Sequence, residues 1–290
     1  MQSGQPSRTA WAAAAHRAAH QVLEQGLIFS DPLAVRILGQ DAERVAREAE
    51  ARPSSRAMRL FIAARTRFAE DSLTAAFHRG ARQLVVLGAG LDTYAYRSPF
   101  GDPLKIFEVD HPATQAWKRK RLADAAIPIP PSLTFAPIDF ERQTLPEGLA
   151  AAGFDPSQPA FFTWLGVVPY LTEDAIWSTL AFIASLSNGA HVVFDYSEPP
   201  HALSPATREY LERRAAHVEA LGEPWLTYFE ADTLKEKLLS LGFTEVDDLG
   251  PPQIAARYIP NLPSPRPERG GHILRATTIS VTSLSTVPSV

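Results

Sequence analysis

Cysteine is absent from all 290 residues, which excludes disulfides and thiolate metal sites and favours a cytoplasmic setting. No apolar run approaches the ~20 residues of a membrane-crossing helix, so no membrane partner is expected. The first residues carry Arg8 among small side chains with no apolar core, and do not read as a signal peptide. There is no excess of positive charge: Lys and Arg number 28 against 32 Asp and Glu, with a net charge of −4. That balance gives no footprint for nucleic acid. Internal repeats are missing, and no His, Asp or Glu cluster has metal-ligand spacing, so no metal is expected. What is plentiful is proline, 25 residues gathered mostly in connecting segments. With 45% hydrophobic and 21% charged residues, the chain can bury a sizeable core.

The stretch from Leu84 to Asp110, LVVLGAGLDTYAYRSPFGDPLKIFEVD, organises the rest. Leu84–Leu87 is an apolar, β-branched-rich run of the kind that forms a buried parallel strand. It ends in Gly88-Ala89-Gly90, and a second strand, Leu104 to Val109, leads to Glu108 and Asp110, 20 and 22 residues after Gly88. Strand, glycine turn, second strand and acid make the first half of a nucleotide site, where the acid meets ribose hydroxyls. Spacing does not separate Glu108 from Asp110. The third glycine position of the fingerprint is Thr93, and Asp92 precedes it. A dinucleotide would set its pyrophosphate against this turn, where a carboxylate repels it. S-adenosylmethionine has no phosphate and carries a sulfonium and an ammonium, so Asp92 favours it over NAD(P). An NAD(P)-dependent oxidoreductase stays as the alternative from this stretch alone.

Residues 1–6 read as a disordered start, and Ser7 as the N-cap of an Ala-rich helix running to about Gly26. Its Arg8, His16, Arg17 and His20 read as a solvated face. Short helices from Asp31-Pro32 and over 41–51 follow, then a long one from Pro53 to Arg79 with Leu60, Phe61, Ala64, Phe68 and Leu73 at near-helical spacing. About eighty residues of helix therefore precede the sheet, a candidate lid over residues 1–80, ahead of a sheet domain over 81–279 and a frayed tail at 280–290. A helix over 111–126 carries Lys118, Arg119, Lys120 and Arg121, again read as a solvated face. The third strand, 133–138, runs into Asp139-Phe140. Asp139 reads either as a ligand group at the carboxyl edge of the sheet or as the cap of a helix over 141–151.

Further strands are expected over 160–168, 191–196, 242–249 and 271–279, with 251–269 a proline-rich loop. The last two strands are joined without a helix in this reading, so the final one is expected to be antiparallel. Alternating strands and helices give an α/β fold, a mostly parallel Rossmann-like sheet with an antiparallel last strand and a helical N-terminal cap.

GAGLDTYAYR (88–97), FEVDHPATQAWKRKRL (107–122), IDFERQTL (138–145), the 151–175 segment and FDYSEP (194–199) together resemble the leucine carboxyl methyltransferase-like family. SRTAWAAAAHRA, DPLA and AARTRF, upstream, fit the family's N-terminal part. The resemblance implies a class I methyltransferase fold and an S-adenosylmethionine-dependent O-methyltransferase. Its acceptor would be a carboxylate or hydroxyl of a small molecule, such as a polyketide or other secondary metabolite. It implies that Arg65 meets the methionyl carboxylate, Gly88 and Gly90 line the methionine and ribose, and Asp110 takes the ribose hydroxyls, with Glu108 the weaker candidate. Asp139 would accept from the adenine amino group, with Phe140 beside the base. One departure stands out: many relatives carry a Glu-Gly pair in the fourth-strand motif, where this chain has Trp164-Leu165-Gly166. A cofactor-binding protein without catalysis is therefore a third reading. On the acceptor side the candidates are Tyr170, Tyr196, His111 and His201, all at or after strand ends, with Arg8 or Arg17 able to orient an anion. The oligomeric state is left open.

Overall fold

The computed structural model describes residues 7–140, 142–259 and 268–279; the expectations for 1–6 and 280–290 lie outside them. In chain order the elements are α1 (Arg8–Leu23), α2 (Ala34–Leu38), α3 (Ala42–Glu50), α4 (Arg56–His78), β1 (Gln83–Leu87), β2 (Lys105–Asp110), α5 (Pro112–Asp124) and β3 (Leu133–Pro137). There follow α6 (Leu145–Ala151), β4 (Ala160–Trp164), α7 (Glu173–Ala184), β5 (Ala190–Ser197), α8 (Pro205–Ala220), α9 (Ala231–Ser240), β6 (Glu245–Leu249), α10 (Pro251–Tyr258) and β7 (Gly271–Thr277).

The strands form one seven-stranded sheet in the order β3-β2-β1-β4-β5-β7-β6. β1 to β5 are parallel, while β7 slots between β5 and β6 and runs antiparallel to both. The mostly parallel α/β sheet with a reversed last strand is thus present. Its premise needs correction, because α10 does join β6 to β7. Pro251 and Pro252 occupy the first helical turn, where the missing N–H groups cost nothing. Ile254 and Ala255 bury the inner face of α10.

Alternation along β1 feeds both faces of the sheet. Val85 and Leu87 join Phe162, Val192 and Phe194 in a core closed by Leu149 of α6, Leu180 of α7 and Leu238 of α9. Leu84 and Val86 join Ile106, Phe161 and Val193 on the opposite face, closed by Leu60, Ala64, Phe68 and Leu73 of α4. α4 is therefore one of the sheet's own covering layers. A third cluster packs Ala14 and Ala18 of α1, Ile37 of α2 and Val45 of α3 against Leu122 of α5.

β4 stops at Trp164, short of the expected 168, because Gly166 turns the chain with φ +71° and a 3-10 turn follows over Val168–Tyr170. Asp139 does not cap α6. Thr144 does so in a reciprocal capping box with Glu147.

The solvated-face readings fail at four places. Arg17 and His20 are buried, as is Lys118, and Arg121 donates to the Ile37 carbonyl at 3.0 Å. A helix placed between a sheet and other helices has no wet face at those positions.

Candidate active site

The carboxyl ends of the parallel strands share one edge, and the strand order reverses between β1 and β4. An open α/β sheet holds its ligand in the crevice at this point. A cleft of about 420 Å³ lies there, lined by Val86–Asp92 after β1, Asp110, Thr163 and Leu165–Val167 after β4, and Arg65 from α4. α1 covers it through Thr9, Ala10, Ala13 and Arg17, and the segment after α8 closes it with Gly222–Pro224 and Leu226.

The glycine turn is held by acids. Asp110 accepts the Gly90 N–H at 2.6 Å and the His111 N–H at 2.7 Å. Burial pushes its carboxyl above the ordinary value, and the Gly90 N–H pulls it back. Each carboxylate oxygen has a second lone pair, so Asp110 keeps accepting capacity toward the cleft. Asp92 accepts the Tyr94 N–H at 2.8 Å and so shapes the 3-10 turn Tyr94–Tyr96.

Gly88 and Gly90 have φ +65° and +44°, and a Cβ would stand 2.5 Å from Val167 Cγ2 at the first and 2.9 Å from Ala10 Cβ at the second. Gly88→Ala is expected to lower the unfolding free energy by about 1–2 kcal/mol for the left-handed backbone alone. Denaturant unfolding checks this; in a Val167→Ala background the clash is relieved and only the backbone cost remains.

Thr93, in the third glycine position, is fully buried and donates to Asp31 at 2.7 Å. Asp31 also lies 3.4 Å from Arg17 and 3.6 Å from Arg97. Arg17 in turn donates to the Leu91 carbonyl at 2.6 Å. The Asp-Pro motif thus ties α1 to the glycine turn, a role that its sequence position did not disclose.

Arg65 is buried and donates to Asp195 Oδ2 at 2.7 Å, while Asp195 Oδ1 accepts the Gly166 N–H at 2.6 Å. Its Nε is buried with no partner among the described residues. Asp195, at the end of β5, therefore brings a carboxylate to the fourth-strand turn where the sequence lacks the family glutamate. The sequence reading missed it. Period-2 alternation could have found it, because Asp195 and Tyr196 must face opposite sides of the sheet.

Of the expected site residues, the structure gathers Arg17, Arg65, Gly88, Gly90, Asp110 and Tyr170 around one cleft. The others lie outside its lining. Glu108 is fully buried, 2.7 Å from Lys118 and 3.2 Å from the Tyr96 hydroxyl, so it faces α5 instead of a ligand. Asp139 and the exposed Phe140 follow β3, one strand beyond Asp110, whose carbonyl accepts the Ile138 N–H. His111 caps α5. Tyr196 is buried on the far side of β5, donating to Asp248 at 2.6 Å and stacked on His272. His201 is exposed beside Glu230. Arg8 contributes its backbone N–H to Glu223, which also accepts from the Thr9 N–H. Among the described residues no group of three or more His, Cys, Asp or Glu could hold a metal ion. Nor is any helix among them long and apolar enough to cross a membrane.

Fold and cleft together define a doubly wound α/β protein of the methyltransferase type, with its ligand crevice at the β1/β4 switch point. The family model described as leucine carboxyl methyltransferase matches residues 10–184, more than half of the chain, and the chain belongs to that family. A Bacillus subtilis protein, YktD, named as a candidate S-adenosyl-L-methionine-dependent methyltransferase, is 34% identical over 200 residues, covering 68% of this chain and 66% of its own. A similarly named Mycolicibacterium paratuberculosis protein is 31% identical over 215 residues, covering 69% of this chain and 67% of its own. The chain thus spans about two thirds of the length of these relatives. Among solved structures, a DUF574-family protein from Streptomyces avermitilis superposes with TM-score 0.53 at 15% identity, covering 91% of this chain and 96% of that one. A candidate methyltransferase from Thermobifida fusca does so with TM-score 0.50 at 18% identity, covering 96% and 97%. These two likenesses are of fold. The family match takes the place of the oxidoreductase reading.

Proposed function

We propose that this chain binds S-adenosylmethionine in the cleft and transfers its methyl group to an oxygen, carboxylate or hydroxyl, of a small molecule. The observation that carries the reading is the sign of the charges around one cavity. A buried arginine with a free Nε, Arg65, stands on one wall, and two carboxylates, Asp110 and Asp92, stand at the glycine turn on another. A zwitterionic cofactor with a carboxylate, an ammonium and ribose hydroxyls, but no phosphate, matches this donor set. The cavity is also of the ~300–1,000 Å³ size usual for such ligands.

In this reading Arg65 holds the methionyl carboxylate and Asp110 the ribose hydroxyls. Asp139 and Phe140 are assigned to the adenine, from the neighbouring strand end. When bound, the cofactor supplies an electrophilic methyl group on sulfur. The protein's part is to orient the acceptor and keep water out. α1 does the second, anchored by Glu223 to the segment after α8. Burial raises the Tyr170 hydroxyl above its ordinary value, so it keeps its proton and acts on an acceptor as a donor. A carboxylate acceptor needs no base, which suits a cleft whose lining includes no histidine among the described residues. A polyketide or other secondary metabolite as acceptor is supported by the family resemblance alone.

Asp110→Ala is expected to weaken S-adenosylhomocysteine binding by about 1.5–3 kcal/mol, the range for hydrogen bonds to charged groups. Titration calorimetry with wild type and variant tests it, and an unchanged affinity sinks the assignment. Formation of S-adenosylhomocysteine with any acceptor separates the enzyme from a protein that only binds the cofactor.

A further inference from the structure

The cleft continues past the residues assigned to the cofactor, and two close approaches mark where it divides. Gly88 lies against Val167 and Gly90 against Ala10 of α1, where an added Cβ would meet those side chains at 2.5 and 2.9 Å. Past Val167 the lining continues to Tyr170 and Leu171. Past Ala10, one turn toward the start of α1, it continues to Ser7 and Thr9. The segment after α8 joins these two walls. Glu223 accepts the Arg8 and Thr9 N–H groups, each at 3.1 Å. Three residues on, the Leu226 N–H donates to the Pro169 carbonyl at 2.6 Å, and the Thr227 hydroxyl donates to the Leu171 carbonyl at 2.5 Å. The start of α1, the turn after β4 and residues 222–227 thus close a collar around the outer half of the cleft.

The collar is mostly apolar. Val167, Leu171, Pro224 and Leu226 supply carbon surface, and Leu226 is 54% exposed although it lines the cleft. A ligand seated there would cover it, which favours an apolar one. The collar's one ionised lining residue is Glu223, whose carboxylate is turned to the first turn of α1. Both arginines of the cleft are engaged elsewhere, Arg17 with Asp31 and Leu91, Arg65 with Asp195. An anion held in the collar would lose its water beside a carboxylate and gain no cation. The donor offered is uncharged. It is the Tyr170 hydroxyl, on a ring that Trp225 meets edge-on with centroids 6.5 Å apart.

We propose that this collar seats the body of the methyl acceptor, and that the body is uncharged and largely apolar, with one accepting oxygen for the Tyr170 hydroxyl. The proposal rests on reading the cleft as a methyl-transfer site and concerns the part of the acceptor away from the methylated oxygen. Glu223 and Leu226 lie beyond residue 184, where the family match ends. The selection is therefore made by this chain's own C-terminal part.

The test uses the full chain saturated with S-adenosylhomocysteine and equilibrium dialysis of three probes built on one ring system: 2-acetylnaphthalene, naphthalene and naphthalene-2-sulfonate. Saturable binding of 2-acetylnaphthalene is expected. Naphthalene should bind about fivefold more weakly for the missing hydrogen bond, and the sulfonate about tenfold or more for its unpaired charge. Leu226→Asp is expected to weaken the ketone about tenfold or more, as for a lost leucine contact. Tyr170→Phe removes the hydroxyl alone and brings the ketone down to the affinity of naphthalene. Both variants keep the wild-type affinity for S-adenosylhomocysteine, which also shows that they are folded. The collar is overturned if the ketone does not bind, if the sulfonate binds as tightly, or if Leu226→Asp binds the ketone like wild type. Loss of S-adenosylhomocysteine affinity in Leu226→Asp overturns it too, because the residue then belongs to the cofactor's half. Failure of S-adenosylhomocysteine to bind the wild type overturns the reading of the cleft instead, so the two are told apart.

Discussion

Glu108→Gln is expected to cost about 3–5 kcal/mol of unfolding free energy near pH 8, the range for breaking a buried ion pair from one side. Glu108 and Lys118 are both essentially inaccessible, with 2.7 Å between Nζ and Oε2. The glutamine leaves the ammonium stranded between α5 and β2 beside the Tyr96 ring. The double variant Glu108→Gln, Lys118→Met removes both charges and is expected to recover most of the loss, because a buried pair is worth little more than an apolar replacement. Urea unfolding of the wild type, both single variants and the double closes the cycle. If Glu108→Gln alone costs under about 1 kcal/mol, the pair is not the unit that locks α5 to the sheet.

Arg65→Met carries the second large effect, and on two readouts. It leaves Asp195 buried with its Oδ2 unmatched, at a cost of about 3–5 kcal/mol to folding. It also removes the cation assigned to the methionyl carboxylate, at a cost of about 1.5–3 kcal/mol to S-adenosylhomocysteine binding. Asp195→Asn separates the two. It keeps a hydrogen-bonding group for Gly166 and leaves Arg65 in place, so stability falls while cofactor binding survives in larger part. Equal affinity of Arg65→Met and wild type in calorimetry would remove Arg65 from the cofactor site. The stability loss alone would then mark it as a tether between α4 and β5.

Several parts of the site were legible because they are local. The strand, the two glycines and the two candidate acids, Glu108 and Asp110, are read from a span of 27 residues; the family resemblance chose Asp110, which does hold the Gly90 turn. Caps are local too, and Ser7 sits where its hydroxyl accepts from a helix N-terminus. Other residues were misjudged because their partners lie far along the chain. Arg17 meets Leu91, and Lys118 is swallowed between β2 and α5. A basic residue on a helix looks the same in sequence whether its helix faces water or a sheet.

Pro251-Pro252 was a different kind of miss. Two prolines break a helix in its middle but begin one equally well, and only the burial of Ile254 and Ala255 decides which. The direction of the last strand is nonetheless as expected: β7 is inserted between β5 and β6 and runs antiparallel to both.

The sequence by itself determined the alternation of strands and helices, the glycine turn with its acid, and the family, since each rests on residue types at short, fixed spacings. Only the tertiary structure decided which of the expected residues meet. It set Arg65, Asp110 and Tyr170 around one cleft, turned Glu108 and Tyr196 away from it, and brought Asp195 to the place where the fourth strand lacks its acid. The physical reason is that facing is settled by packing. Neighbouring residues on a strand point to opposite sides, and which side holds a cavity depends on helices encoded a hundred residues away.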